Sequence, residues 1–359
     1  MSKRTITSFF ASRLADTASK KPRLDSPPDA DAPPSPPTTH PSYPHPIAAL
    51  PTSLLTLLDT SPPPAPHTIT KPDLSITHYH FFPPPTARQL FLSLRSSLPF
   101  YRVTYTIKRD SLDTTVRTPR YTTVFGVDAN SYFSGDSSHD ARALLDSKTH
   151  KAVPGDRYRN CVCPPRPIPG CLEVLKNLVE RETGETFNFV LVNYYASPSD
   201  SIAYHSDDEA FLGPNPTIAS LSLGATRDFL MKHKEDKAQT LKLALTNGEL
   251  LVMKGATQRK WLHSIPKRTA TATGTWHSGG RINITFRNGR MLPCTANYYR
   301  YNVNTGPVYR WDSARDEMAL HSPLTSANTD TAVSTASNPT DPNTSTIAST
   351  DKCKKAEAE

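Results

Sequence analysis

From Phe187 to Arg287 the chain is written almost entirely in short β-branched and aromatic runs separated by turns. The runs are "FNFVLVNYY", "TIASLSLGA", "RDFLMKH", "LKLAL", "ELLVMKG" and "RINITFR". Each is one strand long, and several alternate apolar with polar residues, which gives a strand two different faces. Consecutive strands of this kind fold into antiparallel sheets, and wrapping two sheets together limits the exposed edges. Two helical segments come first. In "TARQLFLSLRSSL", Leu90, Phe91, Leu94 and Leu98 share one face, and "CLEVLKNLVERETG" is closed by Gly184. Between them "RVTYTIK" alternates Val103, Tyr105 and Ile107 with polar residues, "RDSLD" turns and "TTVRTP" returns, which predicts a hairpin. Asn247-Gly248 is a further hairpin signal. The expected fold class is α+β: a double-stranded β-helix, or jelly roll, with supporting N-terminal helices.

Composition sets the limits of this domain. Many of the 35 prolines lie between residues 22 and 72, and residues 321–359 are almost all Ser, Thr, Ala, Asn, Asp and Lys. Neither stretch has enough apolar side chain to offset the entropy of ordering it. The reading is a disordered, Pro-rich segment 1–73, a folded domain 74–315 and a disordered tail 316–359. Within the first segment, "IAALPTSLLTLL" (47–58) is an apolar island that either packs on the core or binds a partner. Net charge is +8, with a pI of about 9.2. That suits an anionic partner such as nucleic acid or a membrane surface, and equally suits ordinary solubility. No apolar run reaches membrane-spanning length, and no membrane partner is expected. The five cysteines are odd in number and no apolar leader opens the sequence, so a reducing intracellular compartment is expected. Cys161, Cys163 and Cys171 lack a fourth zinc ligand and read as ordinary thiols.

The chemistry concentrates in His205-Ser-Asp-Asp-Glu209. His205 and Asp207 are two apart, so an extended segment points both to one side. His263, in "WLHSIPKR", follows the strand "ELLVMKG". Two imidazoles and a carboxylate make the facial triad of a non-haem Fe(II) oxygenase, with one side of the metal open. Taken alone, the His-x-Asp pair is also what a solvated loop looks like. The strand "RINITFR" adds weight: Arg281, Asn283, Thr285 and Arg287 share one face, while Ile282, Ile284 and Phe286 share the other. Two guanidinium groups facing a barrel interior need carboxylate partners, which 2-oxoglutarate can supply. An exposed edge strand with polar residues outward is the competing reading.

These runs, in this order and over about residues 74–290, resemble the AlkB family of Fe(II)/2-oxoglutarate dioxygenases, most nearly its eukaryotic DNA-repair homologues. The resemblance implies Fe(II), 2-oxoglutarate and O2 as cofactors and His205, Asp207 and His263 as metal ligands. It places Asn193, Tyr195, Arg281, Asn283, Thr285 and Arg287 at 2-oxoglutarate. It assigns Asp208 and Glu209 to the exocyclic amine of a flipped base, Tyr132 and Phe133 in "SYFSG" to stacking on that base, and Arg120 to a basic position near the DNA. The hairpin becomes a nucleotide-recognition lid, with Leu112 as the apolar candidate at its turn, and "TATGTWHSGG" becomes an extra loop before Arg281. The implied reaction is oxidative demethylation of 1-methyladenine and 3-methylcytosine in DNA, releasing formaldehyde and succinate. RNA as the target, or a non-catalytic damage reader, are the alternatives. At the N-terminus Ile6, Phe9 and Phe10 sit on one side of a helical turn. Residues 3–10 resemble the peptide by which replication and repair proteins hold the sliding clamp PCNA, although Lys3 stands where the leading glutamine is usual. With the basic cluster Lys20-Lys21-Pro22-Arg23, this suggests a nuclear monomer.

Overall fold

The computed structural model describes residues 36–60, 65–109, 112–135, 142–154, 165–268, 280–290 and 304–321. Along the chain these form α1 (Thr52–Thr60), β1 (Pro66–Lys71), β2 (Leu74–His80), α2 (Pro84–Ser97), β3 (Phe100–Tyr101), the hairpin β4 (Thr104–Arg109) and β5 (Leu112–Arg117), and β6 (Tyr121–Gly126). A short ribbon of β7 (Ser131–Phe133) and β8 (Leu144–Asp146) precedes α3 (Gly170–Thr183). The strand-rich half then runs through β9 (Phe189–Tyr195), β10 (Ile202–His205), β11 (Ile218–Gly224), β12 (Arg227–His233), β13 (Thr240–Leu245), β14 (Glu249–Lys254), the single turn α4 (Thr257–Lys260), β15 (Trp261–Ile265) and β16 (Arg281–Arg287). Strands β17 (Val308–Asp312) and β18 (Glu317–Leu320) follow.

From β9 onward the chain is dealt between two antiparallel sheets. The larger has the order β1-β2-β14-β11-β16-β9-β6-β3-β17-β18, and the smaller β10-β15-β12-β13. This alternation is the winding expected of a jelly roll, and it follows from the two-faced strands. Val190, Val192 and Tyr194 of β9, Ala219, Leu221 and Leu223 of β11, and Ile282, Ile284 and Phe286 of β16 bury against Leu90, Phe91 and Leu94 of α2 and Leu172 and Leu175 of α3. Their sequence neighbours, among them Asn193, Ser220, Arg281 and Thr285, therefore face the other way, toward the smaller sheet. There Phe189, Ile218, Phe229, Met231, Met253 and Trp261 form a second apolar cluster. The α2 and α3 helices form as the apolar spacing predicts, and Gly184 caps α3 in the left-handed conformation at φ 68°.

Four expectations need correction. The folded region begins well before Leu74: Ile47, Leu50, Leu54 and Leu58 are buried in the helix-side cluster, and β1 pairs with β2 along its whole length. The apolar island is thus a packing segment, and its side chains outweigh the surrounding prolines. The folded region also continues past residue 315, because β18 (Glu317–Leu320) pairs with β17, which in turn pairs with β3. Asn247-Gly248 is not a hairpin turn. The strands on either side of it belong to different sheets, so it is the crossing point between them. Asn247 Oδ1 accepts from Gly224 N at 2.8 Å, and Gly248 (φ 92°) is so close to Phe82 O that an added Cβ would lie 2.3 Å away. Leu112 opens β5 rather than forming the turn. Cys171 is buried in α3, its thiol pushed up to about 12 by burial. Cys161, Cys163, the clamp-like peptide with Ile6, Phe9 and Phe10, and most of the expected loop before Arg281 lie outside the described residues.

Candidate metal centre and its cavity

His205 ends β10, an edge strand of the smaller sheet, and His263 lies directly opposite it on β15. Asp207 follows β10 and is fixed by its own backbone: its N–H donates to Oε1 of the fully buried Gln258 at 2.9 Å. The result is a compact triad. His205 Nε2 is 3.8 Å from Asp207 Oδ1, His263 Nε2 is 3.9 Å from Oδ2, and one ligand atom from each residue lies within 4.8 Å of the others. His205 Nδ1 donates to the carbonyl of Ala203 at 2.9 Å, which leaves Nε2 with its lone pair toward the centre. The His263 ring stacks on Phe229 at 5.3 Å. Burial, reinforced by the charges of His205 and Arg287, holds its pKa well below the usual histidine value. A neutral imidazole is the form that binds a metal.

Behind the triad is a cavity of about 640 Å³, a size that suits a small organic ligand. The larger sheet supplies its polar wall in register: Arg281 opposite Tyr195, Asn283 opposite Asn193, and Thr285 opposite Leu191. Arg287 is buried and donates from Nη2 to Asp207 Oδ1 at 2.8 Å and from Nη1 to Glu209 Oε1 at 3.1 Å. Burial alone would depress its pKa, but these two carboxylates raise it above the ordinary arginine value. Arg281 is in the opposite condition. It is 1% exposed, donates from Nη2 to Ser222 Oγ at 2.9 Å, and forms no ion pair among the described residues. Its Nε and Nη1 are buried without a hydrogen-bond partner. Burial lowers its pKa to about 10, Tyr195 offsets part of that, and Arg227 adds to it. An uncompensated guanidinium in such a place is costly unless an anion joins it.

The remaining expected residues divide into two groups. Asn283 donates to Ser220 Oγ at 2.8 Å, Thr285 to Leu191 O at 3.1 Å, and Arg120 from Nε to Asn193 Oδ1 at 3.0 Å, and all line the cavity. Asp208 also lines it and pairs with Lys234 at 2.9 Å. Burial opposes the Asp208 charge, but hydrogen bonds from Lys234 and Ser206 outweigh it and hold the carboxyl below its ordinary range. Tyr132 and Phe133 do not come to the cavity. Pairing of β7 with β8 turns them elsewhere: the Tyr132 hydroxyl bonds His150 Nδ1 at 3.0 Å, and Phe133 packs edge-on against His40 at 5.7 Å. The aromatic and apolar lining comes instead from Val103, Tyr105, Val116, Tyr204 and Phe229.

Sequence reasoning missed four contributing residues. Ser220 and Ser222 alternate with Leu221 and Leu223, a period readable in "ASLSLG" once the strand is known to line a site. Gln258, on one turn of helix, carries no local signal. Arg227 is fully buried and donates from Nη2 to the carbonyls of Asp200, at 2.8 Å, and Pro266, at 2.5 Å. It ties the loop before β10 to the segment that follows β15.

Residues 75–287 match the family described as "2OG-Fe(II) oxygenase superfamily". Among curated proteins, the human "Alpha-ketoglutarate-dependent dioxygenase alkB homolog 3" is 45% identical over 125 residues, covering 32% of this chain and 41% of that one. The "DNA oxidative demethylase ALKBH2" of Arabidopsis thaliana is 42% identical over 142 residues, covering 33% and 43%, and its human counterpart 39% over 130, covering 34% and 48%. The matched region thus spans less than half the length of each of these relatives.

Proposed function

The chain belongs to the 2OG-Fe(II) oxygenase superfamily, and from that premise we propose that it is an oxidative demethylase of alkylated nucleic acid, acting on 1-methyladenine and 3-methylcytosine in DNA. Fe(II), 2-oxoglutarate and O2 are the cofactors of this family, and together they supply the oxidising power that hydroxylates an N-methyl carbon. Overall, 2-oxoglutarate and O2 become succinate and carbon dioxide as the methyl carbon gains a hydroxyl. The hydroxymethyl group then leaves as formaldehyde, and the base recovers its N–H.

The protein's own residues divide this work. His205, Asp207 and His263 would hold the metal, while Arg287 donates to Oδ1 of Asp207 and fixes the carboxylate's orientation. The observation that carries the cofactor assignment is Arg281, buried, cationic and without a carboxylate. It would take the distal carboxylate of 2-oxoglutarate, and Tyr195, Asn193, Asn283 and Thr285 would hold the rest of the cosubstrate. Asp208 and Glu209 stand next to the metal ligands in sequence and line the same cavity, where they accept hydrogen bonds from a base's exocyclic amine. Arg120, on the polar wall, meets the phosphodiester backbone. Support for DNA as substrate is the similarity to proteins named DNA oxidative demethylases. Residues 3–10, as a sliding-clamp peptide, and the basic cluster at 20–23 place the activity at nuclear replication sites.

The test is formaldehyde release from oligonucleotides carrying 1-methyladenine or 3-methylcytosine, supplied with Fe(II) and 2-oxoglutarate. Wild type releases formaldehyde and succinate in equal amounts, and His205→Ala releases neither. Absence of formaldehyde with wild type, or undiminished release by His205→Ala, overturns the reading. Deleting residues 1–12 leaves this activity intact and abolishes accumulation at replication sites.

A further inference from the structure

One aromatic residue that lines the cavity, and the lysine set against its ring, are used by none of the chemistry above. Tyr204 lies on β10 immediately before the metal-facing His205, is 40% exposed, and lines the cavity. Of the large apolar side chains left exposed among the described residues, Tyr105 and Tyr204 are those that line it. Lys232, on β12, reaches across β15 and sets its Nζ 4.1 Å from the centre of the Tyr204 ring.

The charges around Lys232 make it distinct. Lys234 pairs with Asp208 at 2.9 Å, Lys242 with Asp228 at 3.5 Å, and Lys260 with Glu235 at 2.8 Å. Lys232 pairs with no carboxylate among the described residues; the face of Tyr204 is its partner. A half-exposed aromatic ring in the lining of a cavity, beside an ammonium without a counter-ion, offers two things. The ring offers a stacking surface for any base, and the ammonium offers a site for a phosphate.

We propose that Tyr204 and Lys232 form a subsite for the nucleotide adjacent to the target base, with that base stacked on Tyr204 and its phosphate on Lys232. The occupant is a single strand. In a duplex the neighbouring base stays paired and stacked on its far side, and turning it onto the ring would break that pair. This subsite rests on the reading of the chain as a nucleic-acid demethylase, and it adds a determinant of substrate length and strandedness.

The experiment compares kcat/KM for a methylated mononucleotide with kcat/KM for a single-stranded pentanucleotide carrying the same lesion at its centre. Both are measured on the same preparation, so the fraction of folded, iron-loaded protein cancels in the ratio. Wild type favours the pentanucleotide. Tyr204→Ala lowers that preference on the order of 10-fold, Tyr204→Phe keeps it, and Lys232→Met weakens both the preference and its dependence on salt. A Tyr204→Ala protein with the wild-type ratio overturns the subsite while leaving the demethylase reading intact. No formaldehyde from either substrate with wild type overturns both.

Discussion

Arg287 donates from Nη2 to Oδ1 of Asp207 at 2.8 Å, with both side chains almost fully buried. This contact fixes which carboxylate oxygen is left for the metal. Replacing Arg287 with methionine keeps the volume and removes the orienting charge. Outer hydrogen-bond partners of metal ligands are worth about 10- to 100-fold in metal affinity. Titration with Mn(II) should show a loss of that size for Arg287→Met and a smaller one for Arg287→Lys. Unaltered affinity in both would mean that Asp207 is oriented by Gln258 alone.

Arg281 predicts a different phenotype. Without a carboxylate partner of its own, it should govern the requirement for 2-oxoglutarate and leave the metal alone. For Arg281→Met the KM for 2-oxoglutarate rises at least about 10-fold, as expected for the loss of a charge-assisted hydrogen-bonded pair, while the Mn(II) affinity stays at its wild-type value. Succinate formation against 2-oxoglutarate concentration reads the first quantity, and the metal titration reads the second. An unchanged KM would assign the distal carboxylate to another group.

The N-terminal packing segment can be tested by stability. Leu54 is 1% exposed and sits in the helix-side core. Leu54→Ala should cost about 2–4 kcal/mol in urea unfolding. A chain beginning at residue 36 should unfold as the full chain does, whereas one beginning at residue 74 loses α1 and β1 and unfolds at lower urea. Equal midpoints for the two truncations would return residues 36–73 to the status of a tail.

His45 gives a pH prediction. Its ring is buried edge-on against His321 at 5.1 Å, and Nδ1 donates to the carbonyl of Pro46 at 2.9 Å. Burial lowers its pKa to about 4, from an ordinary 6.5, and the nearby Arg310 and His321 push in the same direction. The unfolded chain therefore binds this proton first as pH falls. The contribution to stability is complete above pH 6.5 and is lost progressively down to about pH 4. The thermal midpoint should fall between pH 7.5 and pH 5, and His45→Leu should reduce that fall. A slope identical to wild type would locate the acid sensitivity elsewhere.

The strands β9, β11, β12, β13, β14 and β16, the helices α2 and α3 and the His205–Asp207 pair were legible because each rests on a local period or a short spacing, whereas β10 and β15, whose pairing brings His263 to His205, carry no such signal. Arg281 on β16 and Tyr204 on β10 show the limit of that information. Alternation in "RINITFR" says that Arg281 and Thr285 share a face, but only the pairing with β9 and β11 says that the face looks into a cavity. The same limit explains Tyr132 and Phe133. Their likeness to a lid motif is local, whereas their direction is set by β8 and by His40, which stands far away in sequence. Asn247-Gly248 misleads for the reverse reason. The dipeptide makes its tight turn, but a turn alone does not say whether the strands it joins are in the same sheet.

The strand that presents His205 is at an edge of the smaller sheet, four residues long, and held to β15 by two ladder pairs with an irregularity between them. One of those two pairs is His205 with His263. An ion gripped by both imidazoles is therefore a rivet through a loose seam, and the occupancy of the centre and the local opening of β10 become one equilibrium. Anything that peels this strand away would loosen the grip on the metal, and an ion bound there would hold the barrel closed at that edge.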